Sequence, residues 1–209
     1  MRLILASTSP RRRETMALLG IPFEVIAPEF DEIVSADLAV DKEVLEFAVG
    51  KARSVAKRQP NSIVIGSDTM ISLEREKIGK PTDKADAARM LRLLSGKSHT
   101  ILTSVAILDG TGGPGLRTVE RVFIDMQPYR ENDIESYLAF DESMDKAGAY
   151  SIQGQGSKFI ASIRGDYLAA VGMPLIAIAR YLKGRGMSFG IDVDKLYADK
   201  AALNWRTFA

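Results

Sequence analysis

Three consecutive arginines, Arg11, Arg12 and Arg13, follow Ser7-Thr8-Ser9-Pro10 near the start of the chain. Ser9 is a good helix N-cap and Pro10 takes the favoured first helical position, so the arginines fall in a first turn. Positive charge there opposes the positive end of the helix dipole unless an anion compensates it. Free backbone N–H groups, serine hydroxyls and guanidinium forks together form a receptor for phosphate or carboxylate. A merely solvated helix start would carry the same residues, and the segment alone leaves both readings open. A second stretch of this kind is Ser67-Asp68-Thr69, directly after the apolar run Ile63-Val64-Ile65-Gly66. Ligands of open α/β sheets gather beyond the carboxyl ends of strands. Read alone, Asp68 is first a turn residue; facing a phosphate-binding helix start, it is half of a metal–phosphate site. Magnesium takes a few carboxylates plus water and substrate oxygens, and Asp68 with Glu32 from the acidic stretch 27–38 would supply them. Lys51 and Lys80 would add charge toward a polyphosphate, although either alone is an ordinary surface lysine. No Gly-x-x-x-x-Gly-Lys-Ser/Thr run occurs, which excludes a standard P-loop.

The elements that must position these groups read as alternating strands and helices. Leu3–Ala6 is a strand, and the helix opened by Pro10 runs through Met16 and Leu19 to a stop at Gly20. Phe23–Ile26 is a second strand. Helical periodicity over 41–58 places Val44, Leu45, Ala48, Ala52 and Val55 on one face. Ser62–Gly66 has the continuous apolar character of a buried central strand. A short hairpin is expected over 70–78, a helix over 83–94, two long strands over 99–109 and 116–125, and a helix over 129–140. Strands over 158–164 and 166–171, joined at Arg164-Gly165-Asp166, precede a helix over 174–183; a further helical pattern covers 193–203. Such alternation, broken by long antiparallel pairs, predicts an α/β fold with a mixed sheet.

The 209 residues suffice for one large domain or two small lobes around a cleft. Formal net charge is +1, so no global field draws the protein to nucleic acid or membrane, and anion recognition must be local. The absence of cysteine excludes disulfides, thiolate metal sites and a cysteine nucleophile. The single histidine, His99, excludes a His-rich zinc site and, at the head of an apolar run, reads as structural. No segment approaches the ~20 apolar residues of a membrane span. Leu3–Ala6 is too short for a signal-peptide core. A soluble, cytoplasmic protein is expected.

Eight motifs then occur in an order that resembles the Maf family, the septum-formation-inhibitor-like nucleotide pyrophosphatases. They are Leu5-Ala-Ser-Thr-Ser-Pro-Arg-Arg12, Phe30-Asp-Glu32, Lys51-Ala52, Gly66-Ser-Asp-Thr69, Gly79-Lys-Pro81, Lys146-Ala-Gly-Ala-Tyr150, Ile152-Gln-Gly154 and Val171-Gly-Met-Pro-Leu175. The similarity covers about residues 2–183, which draws a Maf-like domain at 1–186 and leaves 187–209 as a tail of unassigned role. The resemblance implies a Maf/ITPase-like mixed sheet with two lobes around a central cleft, in a homodimer. It implies hydrolysis of a nucleoside triphosphate to monophosphate and pyrophosphate with a divalent cation, Mg2+ or Mn2+. It assigns Asp68 as general base, Glu32 and Asp68 to the metal, and Ser7, Arg11, Arg12, Lys51 and Lys80 to phosphate.

Within the family, the branch acting on dTTP and UTP carries residues matching Arg11, Thr69 and Gln153. The 7-methyl-GTP branch usually has an aromatic at the first position and glutamate at the last. Glutamine both donates and accepts, so Gln153 suits the O4/N3–H edge of thymine or uracil. The expected activity is therefore dTTP and UTP pyrophosphatase, with a role in clearing non-canonical nucleotides or arresting division. A 7-methyl-GTP pyrophosphatase and a non-enzymatic, nucleotide-binding regulator of septation are the alternatives.

Overall fold

A computed structural model describes residues 2–140 and 142–198. β1 (Arg2–Ala6) leads through a short turn into α1 (Pro10–Ala17), which returns to β2 (Glu24–Ile26); an irregular loop then precedes α2 (Val40–Ala56). β3 (Ser62–Leu73) and β4 (Glu76–Ile78) form a hairpin, and α3 (Lys84–Leu94) connects it to the long pair β5 (Ser98–Asp109) and β6 (Leu116–Met126). α4 (Glu131–Leu138), two 3-10 segments at Ala147–Ala149 and Gly154–Phe159, and β7 (Ile160–Arg164) follow. α5 (Tyr167–Val171), α6 (Leu175–Gly184) and α7 (Val193–Ala198) complete the described chain. No described helix is long and apolar enough to cross a membrane.

The seven strands form one mixed sheet in the order β2-β1-β3-β5-β6-β7, with β4 paired to β3. β1 runs parallel to β2 and β3; the other pairs are antiparallel. Alternation decides which side each residue serves, because successive strand side chains point to opposite faces. Leu3, Leu5, Ile63, Ile65, Val105 and Ile107 face the larger core with α1, α3 and α6. Ile4, Ala6, Val64 and Ala106 face the stripe Ala48, Val49, Ala52 and Val55 of α2. Gly66 lets α2 come very close: a Cβ there would stand 2.8 Å from Ala52 N and closer still to Ala48 O.

Two sequence expectations are corrected here. Asp68 does not follow a strand that ends at Gly66; it lies inside β3, which continues to Leu73. β5 supplies the reason, since it pairs with β3 from Ile63 to Ser72 and satisfies its backbone after β1 has stopped opposite Gly66. The expected strand over 166–171 is a helix, α5. Asp166 caps it by accepting the Ala169 N–H at 3.1 Å, and a Leu-Ala-Ala run favours helix once capped. The helical pattern expected over 193–203 is helix at Val193–Ala198, and its remainder lies outside the described residues. Val193 is buried against the main core, and the Tyr197 hydroxyl donates to Asp166 Oδ2 at 3.1 Å.

Candidate active site

β1 stops at Ala6, opposite Gly66, and its chain turns away into α1. β3 runs on without that neighbour, so both its faces open into one cavity beside the α1 N-terminus. Ser7 and Ser9 shape the turn: Ser7 Oγ accepts the Ser9 N–H at 3.1 Å, and Ser9 Oγ caps the helix at Arg12 N. Pro10 occupies the first helical position, as its fixed φ favours.

The first turn of α1 then divides its arginines between two tasks. Arg12 is anchored toward α5, with Nε donating to Gly172 O at 3.1 Å and Nη2 donating to Thr69 Oγ1 at 3.2 Å. Burial lowers its pKa, against the raising influence of Asp68 and Glu32. Arg11 instead pairs with Asp145 at 3.1 Å, more openly. Thr69 is held further, 3.1 Å from Thr103 Oγ1, and Thr103 donates to Ala169 O at 2.7 Å. Ser67 also donates to Gly172 O, at 3.1 Å. Ser67 and Thr69 thus tie one face of β3 to α5, while Asp68 between them points to the α2 side.

On that side lies the most charged feature of the site. Lys51, from α2, places Nζ 2.5 Å from Asp68 Oδ1 and 2.5 Å from Glu32 Oε1. Asp68 and Lys51 are each only 5% exposed. Burial raises the Asp68 pKa above the usual carboxylate value, although Lys51 and Arg12 pull the other way. Partial burial also pushes Glu32 up, but its hydrogen bond to Lys51 and the charges of Lys51, Lys80 and Arg12 prevail and hold it low. The two carboxylates therefore differ: burial raises the proton affinity of Asp68, while neighbouring cations lower that of Glu32.

A cavity of about 660 Å3 joins these groups, and Ser7, Arg11, Arg12, Glu32, Lys51, Asp68, Thr69, Lys80 and Gln153 all line it. The volume lies within the range of small-molecule sites. Lys80 sits on a loop pinned where the Gly148 N–H donates to Gly79 O at 2.9 Å. Gln153 precedes the 3-10 segment; burial holds the neighbouring Tyr167 phenol above its ordinary pKa, although the Gln153 side chain pulls the other way.

The sequence matches the model of the family described as Maf-like protein over residues 2–185. The chain belongs to the Maf family. This Maf chain is 42% identical over 194 residues to a protein of Bacillus anthracis named dTTP/UTP pyrophosphatase, covering 92% of this chain and 97% of that one. A protein of Moorella thermoacetica with the same name is 42% identical over 192 residues, with the same coverage of both chains. Among solved structures, the Staphylococcus aureus Ham1 protein is similar at a TM-score of 0.49 and 15% identity, covering 88% of this chain and all of that one.

Sequence reasoning did not give roles to several groups that line the Maf cavity. Asp145 and Lys146 form a pair at 2.5 Å beside Arg11, and only the motif around Lys146 pointed to them. The Gly172 carbonyl, acceptor for both Arg12 and Ser67, carried no side-chain signal at all. Phe30 and Phe47 meet edge to face, 5.7 Å between centroids, and form an apolar wall. His99 is kept out of the site: it is buried, bonds Tyr150 at 2.7 Å, and burial lowers its pKa to about 4.

The donor set also bears on a divalent cation. Among the described residues no cluster of three or more Asp, Glu, His or Cys exists. Glu32 and Asp68 nevertheless converge on one positive charge, the Lys51 ammonium. Two hard oxygen donors of this kind fit a cation that completes its shell with water and phosphate oxygens.

Proposed function

We propose that this protein hydrolyses dTTP and UTP between the α- and β-phosphates, releasing the monophosphate and pyrophosphate. The observation that carries the reading is the convergence of Lys51 on Glu32 and Asp68, in one cavity with Arg11, Arg12 and Lys80. The names of its relatives, matched along nearly their whole length, support the substrate class.

The triphosphate lies against the α1 N-terminus, where backbone N–H groups, Ser7 and the arginines meet its oxygens. Asp68 takes a proton from a water in line with the α-phosphorus. The new P–O bond forms as the bond from that phosphorus to the bridging oxygen breaks, and pyrophosphate leaves. Burial suits Asp68 to the task by raising its basicity, and the Lys51 ammonium opposes that rise by favouring the carboxylate form. Arg12 and Lys80 neutralise charge on the departing group. Glu32 and Asp68 would hold a divalent cation, which supplies electrophilic stabilisation of the phosphates when bound. Gln153 lines the cavity, and its amide, which both donates and accepts, pairs with the pyrimidine edge.

The reading is tested by a panel of canonical and modified triphosphates, with Mg2+ or Mn2+, that resolves pyrophosphate from orthophosphate. Pyrophosphate release highest on dTTP and UTP supports it. Preference for 7-methyl-GTP, or binding without cleavage, refutes it.

A further inference from the structure

Glu32 arrives at the site on an irregular loop between β2 and α2, and its side chain is 39% exposed. An ion pair that open fixes a side chain poorly, so the loop has to come already placed. The loop runs along α2 from the helix's C-terminal end toward its start. At its beginning Arg58 Nη2 donates to Ala27 O at 3.1 Å, Arg58 pairs with Glu29, and the Glu29 N–H donates to Ser54 Oγ at 3.1 Å. At its end the Ser35 N–H donates to Glu43 Oε1 at 2.5 Å. Lys77, from β4, donates to Ser35 O at 2.5 Å and pairs with Glu43 Oε2 at 2.8 Å. Glu43 is 1% exposed, so this closure is a buried one.

Between the two ends the Phe30 ring lies on Gly50, where any Cβ would fall inside 3.0 Å of the ring. Phe30 also meets Phe47 edge to face. Residues Glu43, Phe47, Gly50 and Ser54 recur every three or four positions and thus form one stripe of α2, which Arg58 prolongs just beyond its C-terminal end. Glycine inside a helix costs about 1 kcal/mol relative to alanine, and Gly50 sits well within α2. The notch it leaves is filled by Phe30.

We propose that Gly50 is a positioning residue: it seats Phe30, and that seat, with the Glu43–Lys77 closure, delivers Glu32 to Lys51. A side chain at position 50 unseats the Phe30 ring, which is 36% exposed and can swing outward, so the loop that carries Glu32 two residues on loses this anchor. The catalytic consequence rests on the pyrophosphatase reading, while the seat itself is observable without nucleotide.

The test is Gly50→Ala, compared with Gly184→Ala, where an added Cβ meets nothing within 4 Å. Hydrogen exchange on the full chain reads the seat directly. Protection of the Glu29 and Ser35 amides falls about tenfold or more in Gly50→Ala, β3 is unchanged, and Tm does not drop. The Mg2+ concentration for half-maximal dTTP hydrolysis rises about tenfold, as for other groups that orient metal ligands. Phe30→Leu in the Gly50→Ala background restores most of that affinity, and Gly184→Ala behaves as wild type. Unchanged exchange over 29–35 overturns the proposal, as does a loosened loop with an unchanged Mg2+ requirement. If the wild type hydrolyses no triphosphate, the functional reading has failed, and the exchange result alone decides for or against the seat.

Discussion

Substituting Gly66 by alanine tests whether the closeness of α2 and β3 is what makes the site. A Cβ at Gly66 would stand 2.8 Å from Ala52 N, 3.0 Å from Ala52 Cβ and nearer still to Ala48 O. Two of those three are backbone atoms of a helix, so no rotamer change relieves the contact. Ordinary contact begins near 3.4 Å. The helix must therefore withdraw by roughly 1 Å, because a packed interior has no slack to absorb the methyl group. Lys51 rides on that helix, one residue before Ala52, and its Nζ now lies 2.5 Å from Asp68. On the proposed mechanism, a shift of that size in the partner of Asp68 costs about 10²-fold in rate. Overpacking costs about 1–3 kcal/mol of stability, which at this length lowers Tm by roughly 2–4 °C per kcal/mol. The assay is dTTP turnover at a temperature well below the new Tm, with folding followed by thermal melting. Gly66→Ala with wild-type turnover and wild-type Tm would refute the reasoning.

Asp68→Asn should abolish turnover by about 10³-fold or more while dTTP still binds, measured by calorimetry alongside kcat. The native state holds the Asp68 proton more tightly than the unfolded chain does, so ionised Asp68 weighs against folding at neutral pH. The Asn variant removes that cost but leaves the buried Lys51 ammonium with only the half-exposed Glu32 as partner, so its Tm should fall in thermal melts. Gln153→Glu should lower kcat/KM for dTTP and UTP by about 10²-fold through lost pairing with the base, with a smaller effect on 7-methyl-GTP in a competitive assay. His99, lowered from 6.5 to about 4, stays neutral in the fold while the unfolded chain protonates. Stability should thus be lost as pH falls from 6.5 toward 4, by up to about 3 kcal/mol, and His99→Phe should flatten that limb in denaturant melts.

The parts of the site that were legible in the sequence are those written in local chemistry. Ser9 and Pro10 mark the start of α1 by capping and fixed φ, so the arginines of its first turn could be placed from a few residues. The apolar run ending at Gly66 marked a central strand for the same reason. What escaped depends on partners distant in sequence. β3 continues through Asp68 because β5, more than thirty residues on, pairs with it. A short apolar run such as Leu168-Ala169-Ala170-Val171 fits either period, and the Asp166 cap decided for helix. Glu32 and Asp68 were paired from the sequence, but Lys51, expected to face a polyphosphate, bridges them instead, and that needs the loop to lie along α2 through contacts such as Phe30 on Gly50 and Lys77 on Glu43. No periodicity encodes those.

The most direct measurement of the central claim is hydrolysis of dTTP in water labelled with heavy oxygen, in wild type and Asp68→Asn. Attack on the α-phosphorus by a water activated at Asp68 places the label in dTMP and none in pyrophosphate, and the Asn variant produces almost no labelled product. Label in pyrophosphate, release of orthophosphate, or an Asp68→Asn variant that labels dTMP at the wild-type rate would contradict it.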